Sequence, residues 1–429
     1  MRATQAVLAS IFTLLTGPGQ AQEVIEISDR GGLHAAYVVP VPEAGRVDVQ
    51  LIVMSGTHDD PDPSGTAHLT EHLAAISADA TILKTPRARD INASVSPVST
   101  VFTNSGMPSD IDTLMQLSRA VLDRPVLPDG YAETEIDILT RETMMRERQS
   151  PFRWVRRMAL QSLYETPRGR ANSVIADLPN LSLDKAYAFH AAHYVPANTV
   201  LIISGEITPK AAADQVARVF GDTVVSTRPD EPWLAHKPDP QRRAVERVTS
   251  DRLSRDMVML AKFVDFKDHP TSIDMQGMFF ISTSILNDRL SKRLYQEEPR
   301  ILNLNIDWHF APNADLEMLI VFDLMPGFSV DEAHQVLNEA LDTLLDDPIL
   351  ARDIQLARES EIVSAHDQAR VPSQFLWFLK NVAADGFPPI TPTTFARTLR
   401  DTTDEDVIYF IESAMAPSAT AVVLAEAEG

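Results

Sequence analysis

The segment His68-Leu69-Thr70-Glu71-His72 contains the residue types of a zinc site at helical spacing. His68 and His72 are four residues apart, so a helix would place both imidazole rings on one face, about one turn apart. Zinc accepts imidazole nitrogen and carboxylate oxygen, and a catalytic zinc keeps one coordination position for water. Glu71, beside a ligand histidine, is well placed to take a proton from that water. The pattern is the inverted form of the commoner zinc-protease motif.

Two surface histidines on a solvent-facing helix would show the same spacing, so the interpretation needs a third ligand. The chain contains no cysteine, which excludes thiolate ligands, disulfides and a cysteine nucleophile and leaves a carboxylate as the natural choice. A predicted helix from Glu133 to Gln149 offers Glu135, Glu142 and Glu147. Glu135 and Glu142 are seven residues apart and share a helix face, and periodicity alone does not choose between them.

The elements around the motif can be read from composition and spacing. Arg46 to Met54 alternates like a strand, a polar loop follows it, and Ser64 can cap a motif helix that begins at about Gly65. His58 lies in that loop, where we expect a solvated side chain. Further strands are predicted at 24–28, 34–41, within 91–103, and at 199–204, 257–264, 316–322 and 420–425. Further helices are predicted at 110–122, 133–149, 182–193, 209–220, 273–286, 330–345 and 353–365.

The order of these elements partly repeats after a proline-rich stretch at 227–243. We therefore predict an α+β fold of two homologous α/β-sandwich domains, each an antiparallel-rich sheet with helices packed on it. The predicted N-terminal zinc-binding domain spans 23–222, the linker 223–243, and the C-terminal metal-free domain 244–429. The stretch that matches the motif helix in the second half, 274–287, contains no histidine and no glutamate.

The net charge and the N-terminal residues limit where the protein is located and which partners it has. The 429 residues have a formal net charge of -22, which disfavours nucleic acid and anionic membranes as partners. Arg2, the apolar run Ala6 to Leu15 and the small residues Gly19 and Ala21 are typical of a cleavable signal peptide over 1–21. No other stretch is apolar enough to span a bilayer. We expect a secreted protein, which is periplasmic if the source is a Gram-negative bacterium.

Several segments resemble the pitrilysin/insulinase family of metallopeptidases, and more narrowly its half-length members related to mitochondrial processing peptidase. The similarity covers nearly all of 23–222 and, more weakly, the second half. It is carried by residues 55–58, 64–73, 92–93, 100–102, 135–142, 194–199 and 205–208. The resemblance implies that the two domains form half of a clam-shell that encloses a chamber.

The resemblance also implies roles for individual residues. His68, His72 and Glu142 would hold one Zn²⁺ per chain, and Glu135 would orient the site. Glu71 would activate the zinc-bound water as general base and pass its proton to the leaving amine. Asn92 matches a position near the substrate strand. The substrates would be short or unfolded peptides, added in extended form to a strand edge.

One family feature is missing from the second half. Family members that work alone, or their partner subunits, carry an Arg and a Tyr there that help to hold the substrate. Tyr295 and Leu302 occupy those positions here, and Arg293 and Arg300 are unconvincing substitutes. We therefore predict that this chain is the catalytic subunit of a heterodimer. The partner would be a homologous, zinc-free chain that supplies the Arg/Tyr pair, with a homodimer as the alternative assembly.

Two other functions compete with the peptidase. A catalytically inactive scaffold or partner subunit of the same family is the main alternative, and the presence of all predicted ligands and the base argues against it. A zinc lyase or other non-proteolytic hydrolase with the same motif is the second. S-ribosylhomocysteine lyase also has an inverted motif, but it is much shorter and uses a cysteine.

Overall fold

The structure of the chain is a computed structural model. It describes residues 24–428 except 62, 84–90, 128–129, 165–176, 224–225, 231–236, 266–272, 311–314 and 371–390. The predicted signal peptide over 1–21 lies outside the described residues. Within the described part of the chain, no helix has the length and apolar character needed to cross a membrane.

The first sheet is built from six strands in the order β1-β2-β6-β3-β5-β4. β2 and β6 are parallel, and the other neighbouring pairs are antiparallel. The central strands β3 and β6 are buried along their whole length, as their apolar sequences require. The strands are β1 (Ile25–Glu26), β2 (Ala35–Pro40), β3 (Val47–Val53), β4 (Ile91–Val95), β5 (Thr100–Gly106) and β6 (Thr199–Gly205). The helices are α1 (Thr66–Ile82), α2 (Ile111–Ala120), α3 (Tyr131–Gln149), α4 (Pro151–Tyr164), α5 (Leu183–His193) and α6 (Pro209–Phe220).

The second sheet has five strands in the order β7-β11-β8-β10-β9. Its strands are β7 (Arg243–Ser250), β8 (Met257–Asp265), β9 (Ile301–Phe310), β10 (Asp315–Leu324) and β11 (Thr420–Ala427). Its helices are α7 (Ile273–Ser291), α8 (Val330–Asp342), α9 (Ala351–Arg370), α10 (Pro392–Asp401) and α11 (Asp404–Met415). A π-helical turn, Lys292–Gln296, continues α7.

The two sheets share one topology. In each, a parallel pair (β2 with β6, β7 with β11) is followed by three antiparallel pairings in the same chain order. This confirms the predicted α+β fold with two related halves. The motif helix α1 lies between β3 and β4, and α7 lies between β8 and β9. α7 is therefore the counterpart of α1, and its sequence contains no histidine and no glutamate.

Helix α4 belongs by sequence to the first half but packs on the second sheet. Val155, Leu160 and Leu163 share a buried apolar cluster with Met259 and Phe263 of β8. No helix is predicted here from the sequence, although Pro151 in the first turn and apolar residues every three or four positions are typical of one. The domain bounds with a linker at 223–243 stay a prediction.

Helix α1 is fixed on two sides. Ala67, Ala74 and Ala78 pack in one buried cluster with the apolar residues of β3. Leu69 and Leu73 pack in another cluster with Leu139 of α3 and residues near α5. Both clusters are buried, so close packing fixes α1 against β3 and against α3. The face of α1 that carries the motif therefore has a defined position relative to α3.

Candidate metal centre

The start of α1 is organised by Asp60. The Asp60 carboxylate accepts hydrogen bonds from the backbone N–H of Gly65 (2.7 Å) and of Ala67 (2.5 Å). Gly65 has φ of 98° and no side chain to cap the helix, which begins at Thr66. The expectation that Ser64 caps this helix is wrong, because its hydroxyl donates to Asp177 (2.8 Å). Gly65 has no side chain that could cap the helix, so the sequence itself indicates that another residue supplies the cap.

The structure brings together the histidines of α1 and two carboxylates of α3. The rings of His68 and His72 are 4.9 Å apart between centroids and nearly perpendicular. Oε2 of Glu142 lies 3.7 Å from Nε2 of His68 and 3.5 Å from Nε2 of His72. Oε2 of Glu71 lies 3.7 Å and 4.0 Å from the same two nitrogens. Four donor atoms therefore converge on one space.

The donor set fits a zinc ion. Ligands about 2.0–2.1 Å from a tetrahedral zinc lie roughly 3.3–3.4 Å from one another. The separations from Glu142 to the histidines, 3.5 Å and 3.7 Å, are close to that value. His68, Glu71 and His72 also offer ligand atoms within 4.8 Å of one another, so Glu71 is near enough to touch a cation. The shorter separations of Glu142 favour it as the third ligand and leave Glu71 beside the remaining position.

Glu135 meets the other nitrogen of His72. Its Oε2 lies 3.0 Å from Nδ1 of His72, and because a carboxylate only accepts, Nδ1 carries the proton and donates. In that tautomer, Nε2 of His72 carries no proton, and its lone pair is directed at the centre. Glu135 is itself buried. The two α3 carboxylates, which spacing alone did not separate, thus have different partners.

The electrostatics suit a metal ligand and a base. Burial, with smaller contributions from the charges of His72 and Arg146, lowers the pKa of His68 to about 3, so this ring is neutral near pH 7. Burial raises the pKa of Glu71 to about 7. Burial alone would lower the pKa of His72, but the hydrogen bond to Glu135 and the neighbouring carboxylates outweigh it and raise that pKa.

Asn92 lies on the edge of the first sheet. β4 is the last strand in the sheet order, and Asn92 pairs with Thr103 of β5 on one side only among the described strands. Its side chain is exposed. Helix α1 packs against β4, so this edge runs alongside the helix that carries the motif.

His58 is not solvated, contrary to expectation. It is 7% exposed, in a short 3-10 helix whose backbone is fixed to the β4–β5 turn by a 2.8 Å hydrogen bond from His58 N to Pro97 O. It is not among the residues that converge on the centre. The polar residues around His58 did not predict its burial, because the burial comes from packing against a turn that is distant in sequence.

The two arginines considered as substitutes are held within the second half. Arg293 donates to Thr343 O (3.0 Å). Arg300 makes a two-pronged pair with Glu298 (2.7 Å each) and lies 3.9 Å above the Phe328 ring. Of the residues at the two family positions, Tyr295 is 53% exposed on the π-helical turn and Leu302 lies on β9.

Comparisons with known proteins show what this chain is similar to. The family described as "Peptidase M16 inactive domain" matches residues 180–361. The chain is 20% identical over 213 residues to the uncharacterized zinc protease YmfH of Bacillus subtilis, an alignment that covers 48% of this chain and 49% of that protein. It thus spans about half the length of this curated relative.

Two solved structures share the fold. A putative M16-like peptidase from Alicyclobacillus acidocaldarius superposes with a TM-score of 0.76 at 15% identity, over 94% of this chain and 99% of that one. The periplasmic protease PqqL of Escherichia coli superposes with a TM-score of 0.70 at 14% identity, over 95% of this chain but 47% of that one. The family match, the zinc-protease relative and the shared two-sheet fold relate this chain to the pitrilysin/insulinase family of peptidases.

Proposed function

We propose that this chain is a zinc-dependent endopeptidase that hydrolyses short or unfolded peptides. One observation carries the proposal. Oε2 of Glu142 lies 3.7 Å and 3.5 Å from the Nε2 atoms of His68 and His72, and the buried carboxyl of Glu71 lies beside them. Three ligands of the kind zinc accepts and one unbound carboxyl of near-neutral pKa are the parts of a hydrolytic zinc site.

Each residue has a defined task in this mechanism. Bound zinc would polarise the scissile carbonyl and acidify a nearby water. Glu71 takes the proton of that water and returns it to the leaving amine, a role for which a pKa near the working pH is best. Glu135 keeps His72 in the tautomer whose Nε2 faces the centre.

The edge strand β4 offers a place for the substrate. Its outer backbone groups have no strand partner among the described residues, so an extended peptide can continue the first sheet there. The adjacent helix α1 would hold the scissile bond near the motif, and the exposed Asn92 side chain could hydrogen-bond to the peptide. Unfolded substrates follow from this geometry, since a folded partner has few free strands to donate.

An inactive scaffold or partner subunit is the alternative, and the description "inactive domain" of the matched family gives it some support. The match, however, covers residues 180–361 and so includes none of His68, Glu71, His72 and Glu142. The relative whose name includes "zinc protease" favours the enzyme.

Zinc content and the Glu71→Gln change test the function directly. We expect about one zinc per wild-type chain, and cleavage of an unfolded fluorogenic peptide by the chain as it is co-purified from its native host. Because Glu71→Gln keeps the ligands and removes the base, it should retain zinc and lose about 10²- to 10⁴-fold in kcat. Glu412→Gln, at an exposed site on α11, is the matched control and should behave as wild type. A zinc-free wild type, or an active Glu71→Gln variant, would contradict the proposal.

We further propose that the chain is exported and works with a second chain. The signal-like N-terminus supports export, as does the likeness to a protease described as periplasmic. The chain matches 47% of that protease, whose length therefore leaves room for a second unit of this size. The proposed partner is a homologous, zinc-free chain that carries the Arg/Tyr pair. A homodimer is the alternative assembly.

A further inference from the structure

The two oxygens of Glu142 have separate partners. Oε2 faces the Nε2 atoms of both histidines. Oε1 accepts a hydrogen bond from the guanidinium of Arg146, one turn later on α3. A carboxylate with both oxygens free can bind a metal through one oxygen or both, or rotate away from it. With Oε1 held, only Oε2 is left for the metal.

Holding the carboxylate removes a cost of binding. A glutamate side chain loses rotamer entropy when it is fixed, so the metal binds more weakly if this fixing occurs only on binding. Glu142 is partly exposed, so packing alone does not fix it. The hydrogen bond from Arg146 fixes it beforehand.

The charge of Arg146 also suits the centre. Its guanidinium lies beside Glu142, and Glu71 and Glu135 bring two further carboxyl groups to the histidines. The cation therefore stands among groups that attract positive charge, which offsets its repulsion of a bound metal ion.

We propose that Arg146 is a positioning residue of the metal centre, which holds Oε1 of Glu142 so that this ligand binds zinc through Oε2 alone. The inference rests on the proposed zinc site. Arg146 is 47% exposed, and exposed ion pairs add little to the stability of a fold. Its removal should therefore change metal binding much more than unfolding.

The same helix supplies a matched control. Arg141 pairs with Asp137 at the same four-residue spacing (2.8 Å), and both side chains are exposed. Arg141→Gln therefore removes an equivalent ion pair from α3 without touching Glu142. Arg146→Lys keeps the charge and can donate to Oε1 as a single point donor.

The test measures zinc affinity of the full chain by competition with a chromophoric chelator, together with the visible spectrum of Co²⁺-substituted protein. We expect Arg146→Gln to bind zinc about 10- to 100-fold more weakly. Its Co²⁺ absorption should weaken as Glu142 becomes bidentate and the coordination number rises. Arg146→Lys should recover part of the affinity, and Arg141→Gln should match wild type.

A zinc affinity of Arg146→Gln within about twofold of wild type would overturn the inference, as would an equal loss in Arg141→Gln. Thermal unfolding of the metal-free variants separates a folding defect from a ligand defect. The readout needs no peptide substrate. If the chain as co-purified from its native host binds zinc but cleaves nothing, the proposed function is refuted and the comparison of affinities stays intact.

Discussion

At the residue scale, the two nitrogens of His72 have opposite tasks. Nδ1 donates to Glu135 and Nε2 faces Glu142, so one ring joins the two α3 carboxylates. The burial of Glu135 strengthens this hydrogen bond, because a charged acceptor in a low-dielectric site has little competing water. The orientation of His72 thus depends on a residue that need not touch the metal.

Replacing Glu135 should weaken zinc binding without removing a ligand. Glu135→Gln still accepts a hydrogen bond but loses the charge that makes His72 more basic, so we expect about 10- to 100-fold weaker zinc affinity. Equilibrium competition with a chelator measures it. Asp137→Asn, an exposed carboxylate on the same helix, is the control. Equal affinities of Glu135→Gln and Asp137→Asn would argue against the orienting role.

The protonation of the buried Lys262 amine affects the stability of the second half. The amine donates to Ala416 O and Ser418 Oγ (2.6 Å each), and burial lowers its pKa to about 8 from 10.5. Between these values the folded state binds fewer protons than the unfolded state, so the free energy of unfolding rises with pH across this window. Below about pH 8 the full cost of burying the charge is present.

The comparison of wild type with Lys262→Met isolates this effect. The free energy of unfolding of wild type minus that of the variant should rise by up to about 3 kcal/mol between pH 8 and pH 10.5. Urea unfolding on both sides of the window measures it, and other titrating groups cancel in the difference. A difference that stays constant with pH would show that the amine does not change its protonation there.

Sequence spacing predicted part of this site and could not predict the rest. The i, i+4 spacing of His68 and His72 and the adjacent Glu71 require only that one helix forms. Whether Glu135 or Glu142 faces the metal depends on how α3 crosses α1, which is set by tertiary packing and was supplied by the family resemblance. Arg146 gave no signal because an arginine one turn after a glutamate is common on helix surfaces.

At the element scale, the position of the motif depends on the loop that precedes α1. Asp60 ties the first turn of α1 to this loop through two backbone hydrogen bonds, and the first ligand, His68, lies in that turn. The cap is thus both a helix-stabilising contact and a support of the metal centre.

Asp60→Ala should lower both stability and zinc affinity. The loss of two charge-assisted hydrogen bonds should cost on the order of 1–3 kcal/mol in the free energy of unfolding of the metal-free chain. Ser329→Ala removes the cap of α8 far from the site, so it should cost stability alone. If both variants bind zinc equally well, the cap does not support the centre.

The central strands and most helices were predictable, and the edge strands of the second sheet were not. β6, β8 and β11 follow apolar runs and β3 alternates, and both patterns are typical of strands. β7 is an edge strand with mostly exposed positions, three of them charged, so its composition resembles that of the linker before it. β9 alternates apolar and polar residues, which is typical of a strand, but no strand was predicted there from the sequence.

At the scale of the whole molecule, the two halves share one topology but differ in the chemistry of their side chains. The first half carries the helix with the candidate metal ligands, and its counterpart α7 contains no histidine and no glutamate. Arg293 and Arg300 are occupied by partners within the second half. Neither arginine is free to bind substrate in this arrangement, which favours the proposal that another chain supplies the cation.

A purified lone chain should therefore bind zinc but cleave peptides poorly. Co-purification from the native host should bring a homologous chain that carries the Arg/Tyr pair, and adding that chain should raise peptide cleavage. Size-exclusion chromatography with light scattering gives the assembly. Robust cleavage by a monomeric lone chain would contradict the two-chain hypothesis, and cleavage by a homodimer would favour the alternative assembly.

The packing of α4 has a consequence for synthesis. The second sheet that covers α4 is complete only with β11, and 263 residues separate Tyr164 from Ala427. At about 5–20 residues per second, the ribosome needs roughly 13 to 50 s to make them. During that time the apolar side of α4 lacks the complete sheet that covers it in the native fold. The packing of the first half therefore stays incomplete until the last strand of the second sheet is available.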